Sequence, residues 1–199
     1  MLNNFVIQHA SSVTRPLRNR LNKHKSGLIW FTGLPASGKS TIAHGIEREL
    51  FGQSIRTYVL DGDNVRRGIN ADLGFSRKER AENLRRIVEI AKLFIDAGIV
   101  VLTAFISPFQ KDRDYVRSQF ANDYFWEIYV KCSLQECENR DPKGQYRKAR
   151  AGIIKGYTGV SSPYEEPRSP DLVIDTEILP PKDSVAAVIQ FLRQKGFLH

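Results

Sequence analysis

Gly33-Leu34-Pro35-Ala36-Ser37-Gly38-Lys39-Ser40-Thr41 fits Gly-x-x-x-x-Gly-Lys-[Ser/Thr], the pattern of a phosphate-binding loop. Before it, the apolar run Leu28-Ile29-Trp30-Phe31-Thr32 reads as a buried strand; after it, Thr41 to Phe51 reads as a helix. Strand, glycine loop and helix is the context in which this pattern carries chemistry. Glycines let backbone N–H groups turn inward around phosphate oxygens, and the helix N-terminus adds partial positive charge. All nine residues are therefore candidates for binding the phosphates of ATP. Lys39 is expected to reach the β- and γ-phosphates, and Ser40 to offer its hydroxyl to Mg²⁺. Pro35 removes one N–H, so that donor must be one the phosphates do not need.

Outward from the loop, the chain alternates strands and helices. Ile55 to Leu60 reads as a second strand running into Asp61-Gly62-Asp63. Strand, helix, strand implies a parallel pair joined by a right-handed crossover, with both aspartates on the rim that carries the phosphate loop. Ser76-x-x-Glu79 is a capping box opening a helix to about Ala97, with Leu84, Ile87, Val88, Ala91 and Phe94 on one stripe. Ile99 to Phe105 is a continuous apolar run, a central parallel strand, and Ile106-Ser107-Pro108 turns out at the rim. A helix over 110–120, a strand from Phe125 to Val130, and a second capping box at Ser133-x-x-Glu136 follow. Leu172 to Asp175 reads as a last strand, and 183–196 as a final helix. The expected class is α/β: a three-layer P-loop NTPase-type fold, with a mostly parallel sheet and helices on both faces.

Two segments depart from this rhythm. Residues 1–25 are polar and basic, with Thr14-Arg15-Pro16 breaking any pattern, and read as an arm or short helix on the domain. Residues 140–163 are basic and glycine-hinged, without a clean apolar period, and read as a lid that closes over ATP and excludes water. With no repeat and no linker, the 199 residues are expected to form one domain. The net charge of +8 suggests an anionic partner, nucleic acid or small phosphorylated compounds. The basic residues gather in a lid and a rim instead of a continuous stripe, which disfavours nucleic acid. No secretory signal and no bilayer-length apolar run are visible. Cys132 and Cys137 have neither metal-binding spacing nor a disulfide framework, consistent with reduced thiols in the cytoplasm.

The interior strand from Ile99 ends without an aspartate, so the rim carboxylates are those of Asp61 and Asp63. An acid beside the γ-phosphate suits transfer to an acceptor hydroxyl: it can take the proton or order Mg²⁺ waters. Arg66, Arg80 and Arg86 are expected to face the same rim, where guanidinium forks clamp phosphate or sulfate. Phe75 and Tyr157 stand in loops beside these cations and suit a purine sandwich. No Asn-Lys-x-Asp guanine-reading motif is present.

Leu60-Asp61-Gly62-Asp63-Asn64-Val65-Arg66, Asp72-Leu73-Gly74-Phe75-Ser76 and Glu82-Asn83-Leu84-Arg85-Arg86-Ile87 resemble the adenylyl-sulfate kinase family. So do Thr103 to Pro108, Arg140-Asp141-Pro142-Lys143-Gly144, Lys148 to Gly152, Tyr157 to Val160 and Ser162 to Pro167. The resemblance covers nearly the whole chain in order. It implies ATP-dependent phosphorylation of adenosine 5′-phosphosulfate at its 3′-hydroxyl, a step of sulfate assimilation, with Mg²⁺, by a cytoplasmic homodimer. It implies sulfonucleotide contacts by Arg66, Arg80, Asn83, Ile106 and Lys155, with Phe75 and Tyr157 stacking on adenine and Asp61 beside them. Asp63 becomes the acid–base group or a ligand of Mg²⁺ through water, Lys39 neutralises developing phosphate charge, and Ser107 becomes a phosphoserine-forming nucleophile. Departures are Pro35 for Ser, Arg67 for His, Tyr157 for Phe and Ile153 for Glu. Two other readings remain at this point: a P-loop kinase for another small metabolite, and a catalytically silent nucleotide-sensing domain. Intact Lys39, Ser40 and Asp63 argue against the latter.

Overall fold

The structure is a computed structural model that describes residues 7, 9 and 11–198. Its centre is β1 (Gly27–Thr32), buried along its whole length. Alternate side chains leave it toward opposite faces. Ile29 and Phe31 enter one apolar cluster with Ile42 and Ile46 of α2 (Lys39–Gly52) and Val188 and Leu192 of α8 (Pro181–Gln194). Leu28 and Trp30 enter the other, with Leu84, Ile87 and Val88 of α4 (Arg77–Asp96) and Val116 of α5 (Gln110–Ser118). A strand buried on both faces needs a helix layer on each, which gives the three-layer architecture.

The remaining strands are β2 (Thr57–Asp61), β3 (Val100–Ala104), β4 (Phe125–Lys131) and β5 (Leu172–Asp175), in the order β2-β3-β1-β4-β5. All four pairings are parallel. One expectation is corrected here. β1 and β2 are parallel but not neighbours, because β3 lies between them, with Leu102 opposite both Ile29 and Val59. The most apolar strand takes the interior position, and the half-exposed β2 takes the edge.

Local signals explain most boundaries. Ser76 and Glu79 make the full capping box at the start of α4. The box expected at Ser133 is half made: Ser133 Oγ accepts from the Glu136 N–H, but the Ser133 N–H donates to Glu177 at 2.6 Å. Pro16 does not break a pattern; it lies in the first turn of α1 (Arg15–Asn22), where its missing N–H costs nothing. α1 is tied to the end of α4 through Arg18–Asp96 and through Asn22 to the Gly98 carbonyl. The rest of the expected arm, residues 1–6, 8 and 10, lies outside the described residues. The basic segment holds α6 (Leu134–Arg140), whose end it overlaps, and α7 (Gln145–Arg150), then a turn closed by a Thr158–Ser162 bridge. Among the described residues no helix is long and apolar enough to cross a membrane.

Candidate active site

The loop between β1 and α2 packs too tightly for a side chain at its first glycine. A Cβ on Gly33 would lie 2.4 Å from the Val130 carbonyl oxygen. Gly38 takes φ of 101°, and Ala36 is held at φ of 62°, a conformation that costs energy in a residue with a Cβ. Lys39 folds back over this loop, donating to the carbonyls of Gly33 (3.0 Å) and Leu34 (2.6 Å). Burial lowers its pKa from 10.5 to about 8, with Asp61 and Asp63 pulling the other way. Held by neutral carbonyls and, at 3.4 Å, the Ser37 hydroxyl, this buried ammonium has no counter-ion among the described residues, which suits it to an incoming polyphosphate. Pro35 contributes a carbonyl instead of a donor: it accepts from the Tyr146 hydroxyl of α7 at 3.0 Å, tying the basic segment to the loop.

β2 delivers its acids to the same place. Asp61, the last residue of the strand, accepts from Ser40 Oγ at 2.5 Å and from the Asp63 N–H at 2.9 Å, capping the one-turn α3 (Gly62–Val65). Asp63 is thereby aimed at the cleft, where it forms an ion pair with Lys143. The cleft, about 330 Å³, is lined by Pro35, Ala36, Gly38 to Thr41, Asp61, Asp63, Arg66, Phe75, Arg80, Asn83, Ile106, Ser107, Lys143 and Tyr157, among others.

Its other wall is cationic and aromatic. The Phe75 ring, 63% exposed, has the Arg66 guanidinium 4.4 Å and the Arg80 guanidinium 5.6 Å from its centroid. Arg66 donates to the carbonyls of Leu73 and Gly74. Arg80 donates to the carbonyls of Phe75 and Gly156 and to the Thr158 hydroxyl. None of these acceptors is a carboxylate. Partial burial depresses both guanidinium pKa values, Arg80's further through Arg66, so both charges are under-solvated. Tyr157 is half-buried, edge-on to Tyr146, and burial raises its phenol pKa.

Ser107 is 4% exposed, and its hydroxyl lies in a neutral network. It accepts from Trp30 Nε1 at 3.2 Å and donates to Thr32 Oγ1 at 2.9 Å; Thr32 in turn donates to the Ile106 carbonyl. No ionisable base accepts its proton.

Most expected residues thus meet in one cleft, with five exceptions. Lys155 is exposed and does not line it. Gly33, Leu34 and Ser37 shape the loop from behind without lining the cleft. Arg86, expected at the rim, pairs with Asp72 and Glu82 and bonds the Ile69 carbonyl, because those partners lie on its own side of α4. Sequence reasoning missed Lys143, whose signal was its place in the hinged turn Asp141-Pro142-Lys143-Gly144. It also missed the buried Asn70, for which no local signal exists.

Comparison with known proteins points to one family. The family model of adenylylsulphate kinase matches residues 25–175. An adenylyl-sulfate kinase of Geotalea uraniireducens is 57% identical over 191 residues, covering 96% of this chain and 92% of the relative. A Mycobacterium tuberculosis APS kinase structure, in complex with AMPPNP and APS, is 46% identical, with a TM-score of 0.82 over 85% of this chain and 99% of its own. A hexameric APS kinase from Thiobacillus denitrificans is 28% identical, with a TM-score of 0.66 over 89% of this chain but 31% of its own.

Proposed function

The chain belongs to the adenylylsulphate kinase family and phosphorylates adenosine 5′-phosphosulfate with ATP, and on that premise we propose which residues of the cleft perform the transfer. The triphosphate lies in the loop from Gly33 to Thr41, with Lys39 turned from its own carbonyls onto the β- and γ-phosphates. Ser40 Oγ and Asp61, already in contact, suit a hard cation that keeps phosphate and water oxygens as its other ligands, so Mg²⁺ fits here. Bound there, Mg²⁺ neutralises phosphate charge. Asp63 takes the proton of the acceptor 3′-hydroxyl as that oxygen attacks, once Lys143 has left it for the phosphates.

Arg66, Arg80 and Asn83 hold the phosphosulfate, and Phe75 and Tyr157 flank the adenine. Transfer is in line and direct, with positioning and electrostatics supplying most of the rate. Ser107 then orders Thr32 and the Ile106 carbonyl instead of forming a phosphoserine. The observation that carries this reading is the pair of guanidiniums around an exposed ring, without a carboxylate partner among the described residues, in one cleft with Lys39. The protein acts as one domain, with 1–25 as an arm and 140–163 as a lid. It works in the cytoplasm as a homodimer, without nucleic acid or membrane.

The test is incubation with ATP, Mg²⁺ and adenosine 5′-phosphosulfate, with products read by mass spectrometry. Wild type yields the doubly modified nucleotide, and Asp63→Asn lowers turnover by about 10²-fold or more with the fold kept. Near-normal turnover of that variant removes Asp63 from the proton transfer.

A further inference from the structure

Two amides meet beside the cationic wall of the cleft. Asn83, one turn of α4 beyond Arg80, is 4% exposed; Asn70, in the loop between α3 and α4, is fully buried. Asn70 Nδ2 donates to Asn83 Oδ1 at 3.0 Å. Asn83 lines the cleft and Asn70 does not. The bond occupies the carbonyl end of Asn83 and leaves its amino end for the cleft.

The two ends of a side-chain amide have nearly the same shape, so hydrogen bonding alone decides which end faces a ligand. As the pair stands, one atom of Asn70, the carbonyl Oδ1, is buried without a partner. Turning both amides would bury the Asn70 amino group without an acceptor for either proton, and an unmet donor is the less tolerated of the two. Asn70 is also fixed in place. Its N–H donates to the Val65 carbonyl at 3.0 Å, and Arg86 holds the neighbouring Ile69 carbonyl at 3.1 Å. Arg86 therefore braces the loop that carries Asn70.

We propose that Asn70 is a positioning residue for sulfonucleotide recognition: it fixes the Asn83 amide so that the amino group, not the carbonyl, faces an anionic oxygen of the substrate. Arg66, Arg80 and Asn83 then present donors only. An unfixed amide would spend part of its time facing its carbonyl to the anion, which repels it.

This rests on the reading that Asn83 touches the sulfonucleotide, and the experiment separates the two. Asn83→Ala tests that contact; an unchanged KM for adenosine 5′-phosphosulfate would remove it and the proposal together. Asn70→Asp tests the positioning role. Its carboxylate accepts but does not donate, so it bonds the Asn83 amino end and turns the carbonyl to the cleft. The expected result is a rise of about tenfold or more in KM for adenosine 5′-phosphosulfate, with KM for ATP within about twofold of wild type. Asn70→Ala, which fixes neither end, gives an intermediate rise. In an Asn83→Ala background the Asn70 substitutions add nothing further, since residues acting through one group are not additive. If Asn83→Ala raises KM but the Asn70 variants leave it unchanged, add their full effect on top of it, or weaken ATP and sulfonucleotide alike, the positioning role is overturned.

Discussion

Lys143, in the turn before α7, forms an ion pair with Asp63, which lies 80 positions earlier at the end of β2. Both side chains are more than half exposed, and such pairs contribute at most about 1 kcal/mol to stability. The contact is therefore cheap to break, as it must be if Asp63 is to meet a substrate hydroxyl. We expect Lys143→Ala to leave the melting temperature almost unchanged while kcat/KM falls by about tenfold or more, because a cation beside the transferring phosphate is lost. Steady-state kinetics with thermal melting checks both halves; an unchanged kcat/KM would leave the pair without a catalytic part.

Lys39 connects function to stability. Its pKa is lowered from 10.5 to about 8 chiefly by burial. Below pH 8 the folded protein carries the full penalty of a buried charge. Between pH 8 and 10.5 the unfolded chain holds a proton that the folded chain has released, so stability rises with pH across that window. Lys39→Met is expected to stabilise the ligand-free protein at neutral pH by about 1–3 kcal/mol, while abolishing most turnover. Urea unfolding at several pH values should show the difference shrinking toward pH 10.5. A variant less stable than wild type at neutral pH would contradict the burial penalty.

Ser107 offers a separation of structure from chemistry. Removing its hydroxyl leaves Trp30 Nε1 without an acceptor and takes from Thr32 Oγ1 one of its two hydroxyl donors, the other being Tyr164 at 3.0 Å. Ser107→Ala should cost about 1–2 kcal/mol of stability. Turnover should stay within about tenfold of wild type, since direct transfer needs no covalent stop. Intact-mass measurement of wild type with ATP alone should show no added phosphate; a stoichiometric phosphoserine would reverse this reading.

Phe75 is exposed yet held between two guanidiniums, an arrangement with no packing purpose. Phe75→Ala should raise KM for adenosine 5′-phosphosulfate by about tenfold, in keeping with the ~1–3 kcal/mol of base–aromatic stacking. KM for ATP should move much less. Equal changes in both would mean that the ring supports the loop and not the adenine.

The fold was legible in the sequence wherever the signal was local. β1, the loop, the capped start of α4 and β5 lie where apolar runs, glycines and caps put them. Strand order was not legible, because which strand lies beside β1 depends on contacts between distant segments; β3, not β2, takes that place. The same distinction runs through the site. Lys39, Ser40, Asp61 and Asp63 sit at chain positions whose geometry the loop and strand end dictate. Arg86 could be placed only on a helix face, and the carboxylates that claim it, Asp72 and Glu82, decide where it points. Asn70 is silent in sequence because its only task is one bond to a side chain 13 positions on.

Direct transfer between two nucleotides in one cleft is tested most sharply by the stereochemistry at phosphorus. ATP with a γ-phosphate made chiral by oxygen isotopes is turned over with adenosine 5′-phosphosulfate, and the configuration of the transferred group is read by phosphorus NMR. One in-line displacement, with Asp63 preparing the hydroxyl, gives inversion. Retention would require two displacements through a protein group such as Ser107, and would contradict it.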